Sequence, residues 1–177
     1  RLAVSGSDAH RFIGIQGNDD QRGYGDYPSG KATWIKANPT FQGLQQAIKE
    51  PAKRSFIGAV PPKLKLIREN RSIFIDKLEV TKVPLSAFNE RWLENTKLTL
   101  NNDLVAIIGN KGSGKSALAD IIALVGNSKQ SHHFSFLKKN RFRGKVGVPA
   151  KHFIAKLMWG DEQVLEKNLN DDPEIEH

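Results

Sequence analysis

The chain has 177 residues, 27 Lys and Arg against 19 Asp and Glu, a formal net charge of +8 and no cysteine. The lack of cysteine excludes a disulfide framework and a thiolate metal site. No apolar run approaches the length of a membrane span. We therefore expect a cytoplasmic protein without a membrane partner, whose positive charge suits a polyanionic ligand.

The first residues carry a weak metal-binding signal. Leu2 to Val4 predicts a short buried strand that leads into the loop Ser5–His10. Asp8 and His10 are two residues apart at the end of this strand, so their side chains project to the same side and could offer a carboxylate and an imidazole to a metal ion. A triplet of this kind is more often part of a loop than a ligand pair, and both interpretations stay open.

The next segment predicts a loop, a strand and a helix. Residues 14–33 are rich in Gly, Asp and Asn and predict a long loop. Thr33 to Lys36 reads as a short strand, and Thr40 can cap a helix that begins at Phe41 and ends before Pro51. The apolar face of that helix would consist of Phe41, Leu44 and Ile48.

The proline pair Pro61-Pro62 and its basic neighbours indicate a linker and a domain boundary, and a second unit is predicted to begin at Ser72. A strand is expected from about Ile73 to Val83, and Leu98 to Leu100 with the turn at 101–103 suggests a hairpin. The uninterrupted apolar run Leu104 to Ile108 predicts a strand buried on both faces. A later apolar run, Phe153 to Trp159, predicts a further strand before a turn at Gly160.

A phosphate-binding loop comes directly after the apolar run 104–108. The segment meets every fixed position of the pattern G-x-x-x-x-G-K-[ST], and its members are Gly109, Asn110, Lys111, Gly112, Ser113, Gly114, Lys115 and Ser116. Apolar residues between Ala117 and Val125 then recur on one stripe of a predicted helix that Gly126 can end. A strand, a glycine-rich turn and a helix are the context that this motif requires.

The residue types explain how such a loop binds phosphate. Glycines permit positive φ and let successive backbone N–H groups point at an anion. The helix N-terminus adds unpaired N–H groups and the positive end of its dipole. Lys115 would reach the β- and γ-phosphates, and the Ser116 hydroxyl would complete the shell of a Mg²⁺ ion. The sequence therefore predicts binding of a nucleoside triphosphate with Mg²⁺.

A basic stretch lies beyond the predicted helix. No Asp or Glu occurs from Ile121 through Gly160, and the candidate contacts to nucleic-acid phosphates are Lys129, Lys138, Lys139, Arg141, Arg143 and Lys145. Three phenylalanines, Phe134, Phe136 and Phe142, lie among them and are available for packing or for stacking on exposed bases. The alternative is a solvated loop whose lysines serve solubility.

The run from Leu98 to Leu124, which contains GNKGSGKSALADIIAL, resembles the N-terminal lobe of ABC-type ATPase heads, especially structural-maintenance-of-chromosomes and RecF-like repair ATPases. This resemblance implies an α/β P-loop NTPase fold in which an antiparallel β-layer precedes the P-loop strand and helix. It also implies ATP and Mg²⁺ as cofactors, a second ATPase head as a homodimer partner, and action on nucleic acid in DNA repair or defence.

The N-terminal segment Ser5–His10 is similar to the last metal motif of PHP (polymerase and histidinol phosphatase) phosphoesterases. The segment from Thr33 to Pro51 is similar to the region that comes after this motif in TrlF-type proteins. The implied organisation is the end of a PHP-like domain (1–60), a linker (61–71), the N-terminal lobe of an ABC-like ATPase (72–165) and an acidic tail (166–177). The chain would then be a fragment of a longer parent, in which Asp8 and His10 contribute to a divalent metal site.

Several family motifs are not visible in the sequence. The His-x-His and further His and Glu ligands of a PHP site are missing, and so are the ABC signature motif and an apolar run ending in Asp-Glu after the P-loop. The catalytic residues are therefore unknown, and we expect the chain alone to be incomplete for hydrolysis. The alternatives are a non-catalytic nucleotide-binding module that controls dimerisation, or a PHP-type metal-dependent phosphoesterase in the parent.

Overall fold

A computed structural model describes Leu2, Val4, Ala9 and residues 11–15, 23, 32–89 and 93–173. The chain is a mixed α/β protein with antiparallel sheets, which confirms the expected fold class at that level. Its backbone divides into two compact units, Arg1–Glu69 and Asn70–His177. No helix in the described part of the chain is long and apolar enough to cross a membrane.

The described residues of the first unit form a two-stranded sheet and three short helices. Strand β1 (Thr33–Ile35) pairs antiparallel with β2 (Ser55–Ile57). The helices are α1 (Phe41–Lys49), α2 (Pro51–Arg54) and α3 (Pro62–Glu69). The predictions of β1 and α1 are confirmed.

The start of α1 is determined by its capping residue. The backbone N–H of Gly43 donates to the Thr40 hydroxyl at 3.1 Å, as expected for a threonine N-cap. The predicted apolar face of the helix is largely exposed, with Phe41 at 70% and Ile48 at 53% of their full accessibility. Pro51 ends α1 and at the same time occupies the first turn of α2, where its missing N–H costs nothing.

The second unit is built on a four-stranded antiparallel sheet with the order β4-β3-β5-β6. Its strands are β3 (Ile75–Lys82), β4 (Thr96–Thr99), β5 (Phe153–Trp159) and β6 (Val164–Asn168). The expected strands near 73–83 and at 153–159 are present, and β4 pairs with β3. Strand β6 had no counterpart in the sequence prediction, and it contains the first residues of the segment 166–177 interpreted as an acidic tail.

One face of this sheet packs against helix α4 (Lys115–Val125). Alternate residues of β5 are buried, as expected for a strand with one covered face. The core joins the sheet, α4 and the segment after the helix, and its buried members are Leu78, Val80, Ile121, Leu124, Val125, Phe134, Leu137, Phe142, Ala150, Phe153, Ala155, Leu157 and Leu169.

The other face of the sheet carries a row of alternating charges. Glu79 on β3 lies opposite Lys97 on β4 and Lys156 on β5, and Lys156 lies opposite Glu166 on β6. The Lys97 and Glu79 charges are 3.7 Å apart, and those of Lys156 and Glu166 are 2.6 Å apart. Opposite charges on neighbouring strands favour this register. The acidic residue Glu166 thus belongs to the sheet.

The predicted buried strand Leu104–Ile108 is wrong in this structure. The segment belongs to neither sheet, and Leu104 and Ile108 are exposed to 85% and 90% of their full accessibility. An apolar run of this kind becomes a buried strand only when neighbouring strands pair with its backbone. In the part of the chain that the structure describes, no strand pairs with it.

Candidate nucleotide-binding site

The P-loop pattern 109–116 ends in the first turn of α4, the longest helix among the described residues. Gly114 is the N-cap of α4 and adopts a left-handed conformation with φ +90°. No described side chain caps this end of the helix. The first backbone N–H groups of α4 therefore have no side-chain cap and, with the helix dipole, favour an anion at this position.

At two further positions of the loop, the backbone conformation or the space available favours glycine. Gly112 has φ +86°, which a residue with a Cβ adopts only with strain. A Cβ on Gly109 would lie 2.5 Å from the Ser113 hydroxyl oxygen, closer than any real contact. The Ser113 N–H donates to the Asn110 carbonyl at 3.2 Å and so forms a tight turn between these glycines.

Lys115 folds back over the loop that precedes it. Its ammonium group donates to the Gly109 and Asn110 carbonyls, each at 2.8 Å. This places a positive charge above the loop backbone, while Ser116 one position later is exposed at the start of the helix. The arrangement brings together an ammonium donor, a hydroxyl and helix N–H groups. Together these groups can bind a phosphate chain, and the hydroxyl can supply one ligand to Mg²⁺.

Asp120 is a residue that the sequence reasoning did not single out. It lies on α4, five residues after Lys115, and only 7% of its surface is exposed. One of its carboxylate oxygens accepts three backbone N–H groups, from Ser135 at 2.9 Å, Phe136 at 2.6 Å and Leu137 at 3.0 Å. The helix that follows the glycine-rich loop is thereby fixed to the basic stretch.

The structure divides the candidate nucleic-acid residues into two groups. Five of them are exposed: Lys129, Lys138, Lys139, Arg141 and Lys145. Arg143 is different, because only 9% of its side chain is exposed and its guanidinium contacts the Leu169 and Asp171 carbonyls and the Asp172 carboxylate. We therefore correct its assignment from a nucleic-acid contact to an internal anchor of the C-terminal segment.

The phenylalanines of the basic stretch serve packing rather than base stacking. Phe134 and Phe142 are each only 6% exposed. Phe136 stacks on Phe142 with ring centroids 4.5 Å apart. Their faces are therefore occupied within the protein, and the stacking half of the sequence hypothesis has no support in these side chains.

The proposed metal residues Asp8 and His10 lie outside the described residues, so their prediction stays a prediction. Among the residues that are described, no group of three or more His, Cys, Asp or Glu side chains could hold a metal ion. Two exposed histidines of the basic stretch, His132 and His133, lie against each other with ring centroids 4.0 Å apart.

The chain has a distant similarity to a known protein. No family model matches the chain. The chain is 24% identical over 137 residues to the multidrug resistance protein mrp-7 of Caenorhabditis elegans, a match that includes 72% of this chain. The matched region spans 8% of that much longer protein.

Proposed function

We propose that residues 109–116 bind the triphosphate of ATP with Mg²⁺, and that the chain is the nucleotide-binding part of an ABC-like ATPase. The observation that carries this proposal is the uncapped N-terminus of α4, with Lys115 bonded across the glycine-rich loop that precedes it. An anion here would meet backbone N–H groups, the helix dipole and an ammonium group at once.

The resemblance of residues 98–124 to ABC-type heads supports the same conclusion. The similarity to a multidrug resistance protein also points to an ABC-like nucleotide-binding segment. The finer assignment, an ATPase that acts on nucleic acid in repair or defence, rests on the resemblance together with the charge distribution. A PHP-type phosphoesterase activity rests on the resemblance of residues 5–10 and 33–51 to TrlF-type proteins and is a hypothesis for a longer parent.

Within this proposal, binding and hydrolysis are separate properties. Activation of an attacking water in P-loop NTPases needs a positioned polar or acidic side chain in addition to the loop. The Asp-Glu pair that occurs after Ser116 in the sequence, Asp161-Glu162, is separated from strand β5 by Gly160 and lies in the turn that leads to β6, not at the end of an apolar strand. We therefore propose that this chain binds ATP without sustained turnover, and that hydrolysis requires groups from other polypeptide.

The test compares ATP binding and ATP turnover by the purified chain. Isothermal titration with ATP and Mg²⁺ should show one site, and Lys115→Ala should weaken it by at least about tenfold, since a charge-assisted contact to phosphate contributes roughly 1.5–3 kcal/mol. Released phosphate should stay near the level of a blank. Lys97→Ala removes a lysine from β4 whose side chain is 67% exposed, and it should bind like the wild type.

Two results would oppose the proposal. Equal ATP affinity in the wild type and Lys115→Ala would show that the nucleotide binds elsewhere or non-specifically. Turnover that depends on Lys115 at the rate of a complete ATPase would refute the claim that hydrolysis needs further groups, while leaving the binding site intact.

A further inference from the structure

We propose that the segment 136–145, here named the cationic loop, is a preformed contact surface for the phosphate backbone of duplex nucleic acid. This inference rests on the part of the proposed function that concerns nucleic acid, and the surface is separate from the nucleotide-binding site. It rests on the fold of the loop, on which of its charges face solvent, and on the burial of its aromatic residues.

The cationic loop is compact and anchored at both ends. The N–H of Phe142 donates to the Phe136 carbonyl at 3.3 Å, and the rings of these two residues stack and so close the loop. Leu137 is 2% exposed and Phe142 6% exposed, which fixes both to the core of the second unit. At the start of the loop, Asp120 holds three consecutive N–H groups through its carboxylate.

Inside the loop the backbone is tightly wound. Arg141 donates its N–H to the Lys138 carbonyl at 3.0 Å, and Lys145 donates to the Arg141 carbonyl at the same distance. Gly144 lies so close to Lys139 that a Cβ there would collide with the Lys139 carbonyl oxygen. The cationic residues are thus carried on one short, ordered stretch of backbone, and little of their backbone freedom remains to be lost on binding.

Four cations of the loop face solvent: Lys138, Lys139, Arg141 and Lys145. Arg143 lies between them in sequence but is turned to Asp172 and to the backbone of the C-terminal segment. From the sequence alone, all five cations of the loop were predicted to contact nucleic-acid phosphates. Since no acidic residue occurs between Ile121 and Gly160, the loop has no acidic neighbour along the chain.

The packing of the aromatic rings favours duplex over single-stranded nucleic acid as the ligand of the loop. Proteins that bind single strands usually stack bases on exposed aromatic side chains. The phenylalanines of the loop are buried or stacked on each other, so they offer no such platform. The remaining binding groups are cations that can neutralise backbone phosphates without reading the bases. The apolar residues of the loop face the core, which argues against insertion into a lipid surface.

The experiment measures binding of the full chain to a fluorescently labelled DNA duplex of about 20 base pairs at several salt concentrations. Four phosphate contacts predict a slope of about −3.6 in a plot of log K against log salt, or roughly a hundredfold loss of affinity between 50 and 200 mM salt. The variant Lys138→Gln/Lys139→Gln/Arg141→Gln should bind at least tenfold more weakly at low salt, and its slope should become shallower by about 2–3.

A matched control removes the same charges elsewhere. Lys63→Gln/Lys65→Gln/Arg68→Gln changes two lysines and one arginine that are exposed on α3 in the first unit, and it lowers the net charge by the same amount. It should bind DNA within about twofold of the wild type. Circular dichroism should show both triple variants folded, because all six side chains are exposed.

Three outcomes would overturn the proposal. Equal losses in both triple variants would mean attraction to the net charge alone. A salt-independent affinity would exclude phosphate contacts, and binding to vesicles of phosphatidylserine but not to DNA would replace nucleic acid by a lipid surface. ATP binding by the cationic-loop variant should be unchanged, so failure of this proposal is distinguishable from failure of the nucleotide site.

Discussion

At the scale of single residues, the most consequential contacts of the second unit converge on α4. Lys115 begins the helix and closes over the glycine-rich loop, and Asp120 lies on the buried side and holds the start of the cationic loop. Neither role requires a large area of buried surface. Both depend on one charged group that satisfies several backbone groups at once, and such bonds are stronger than those between neutral groups.

Substitution of Asp120 tests the second of these contacts. Asp120→Ala leaves three backbone N–H groups without their acceptor in a largely buried position, and we expect it to lower the free energy of unfolding by about 2–4 kcal/mol. Asp120→Asn keeps one acceptor oxygen and should lose less. Urea unfolding measured by circular dichroism gives both values, and an Asp120→Ala variant as stable as the wild type would contradict the proposed anchor.

The charge row on the outer face of the sheet predicts a dependence on alkaline pH. The hydrogen bond that Lys156 donates to the Glu166 carboxylate raises the pKa of Lys156 above its ordinary value of 10.5. Because the folded-state pKa of Lys156 is raised, the contribution of the Lys156–Glu166 pair to the stability of the fold is fully present below the ordinary pKa of lysine. It is lost as the pH rises through the folded-state pKa. The loss should therefore begin above about pH 10.5.

Titration by NMR checks this directly. The Lys156 side-chain carbon resonance should titrate at a higher pH in the wild type than in Glu166→Gln, and the stability difference between the two proteins should shrink as Lys156 loses its proton. An unchanged Lys156 titration in Glu166→Gln would assign the raised pKa to another cause.

At the scale of secondary structure, the predictions succeeded where the local sequence determines the structure. Thr40 begins α1, Pro51 ends it, and Gly114 and Gly126 enclose α4 through capping positions that depend on neighbouring residues alone. Strand β5 has the predicted bounds, because its own apolar residues mark both ends and its alternate residues pack on the core. Strand β6 was missed, because Glu166 and Lys167 interrupt its apolar periodicity, and the pairing of Glu166 with Lys156 and of Lys167 with Ala155 depends on β5.

The segment Leu104–Ile108 shows why the remainder was not predictable. Its apolar composition is typical of a central strand in a sheet. Burial of such a strand requires neighbouring strands, and the segment itself does not determine whether they are present. Likewise, a run of basic residues shows the sign of the charge but not which side chains face solvent. The sequence alone therefore could not distinguish Arg143 from Lys138 or Arg141. Positive φ at the glycines of the loop was predicted from the motif and is found at Gly112. The bonds of Lys115 to the Gly109 and Asn110 carbonyls were not predicted, and the three bonds to Asp120 depend on tertiary structure.

The exposed segment yields a matched pair of substitutions. Ile108 is 90% exposed and Ile121 is fully buried in the core beside the sheet. Ile108→Ala should change the free energy of unfolding by no more than about 0.5 kcal/mol, whereas Ile121→Ala should cost about 2–5 kcal/mol. Guanidinium unfolding of the two variants measures both. A large loss in Ile108→Ala would show that residues 104–108 are packed in the isolated chain.

At the scale of the whole molecule, the two ligands proposed for the second unit use different chemistry. The nucleotide site depends on backbone N–H groups, Lys115 and Ser116 at the start of α4. The cationic loop depends on exposed side-chain charges of residues 136–145. The first should be sensitive to loop geometry and to Mg²⁺, and the second chiefly to salt. Because of this difference, each proposal can be tested without the other.

The central claim is that ATP binds at residues 109–116, and the most direct test is to record the backbone amide resonances of the second unit during titration with ATP and Mg²⁺. We expect the largest shifts on 109–116 and the first turn of α4. Lys115→Ala should need at least about tenfold more ATP to reach the same shifts, whereas Lys97→Ala should titrate like the wild type. Shifts confined to residues 129–145, with no change at 109–116, would show that ATP binds the chain only as a polyanion on its basic surface and would contradict the claim.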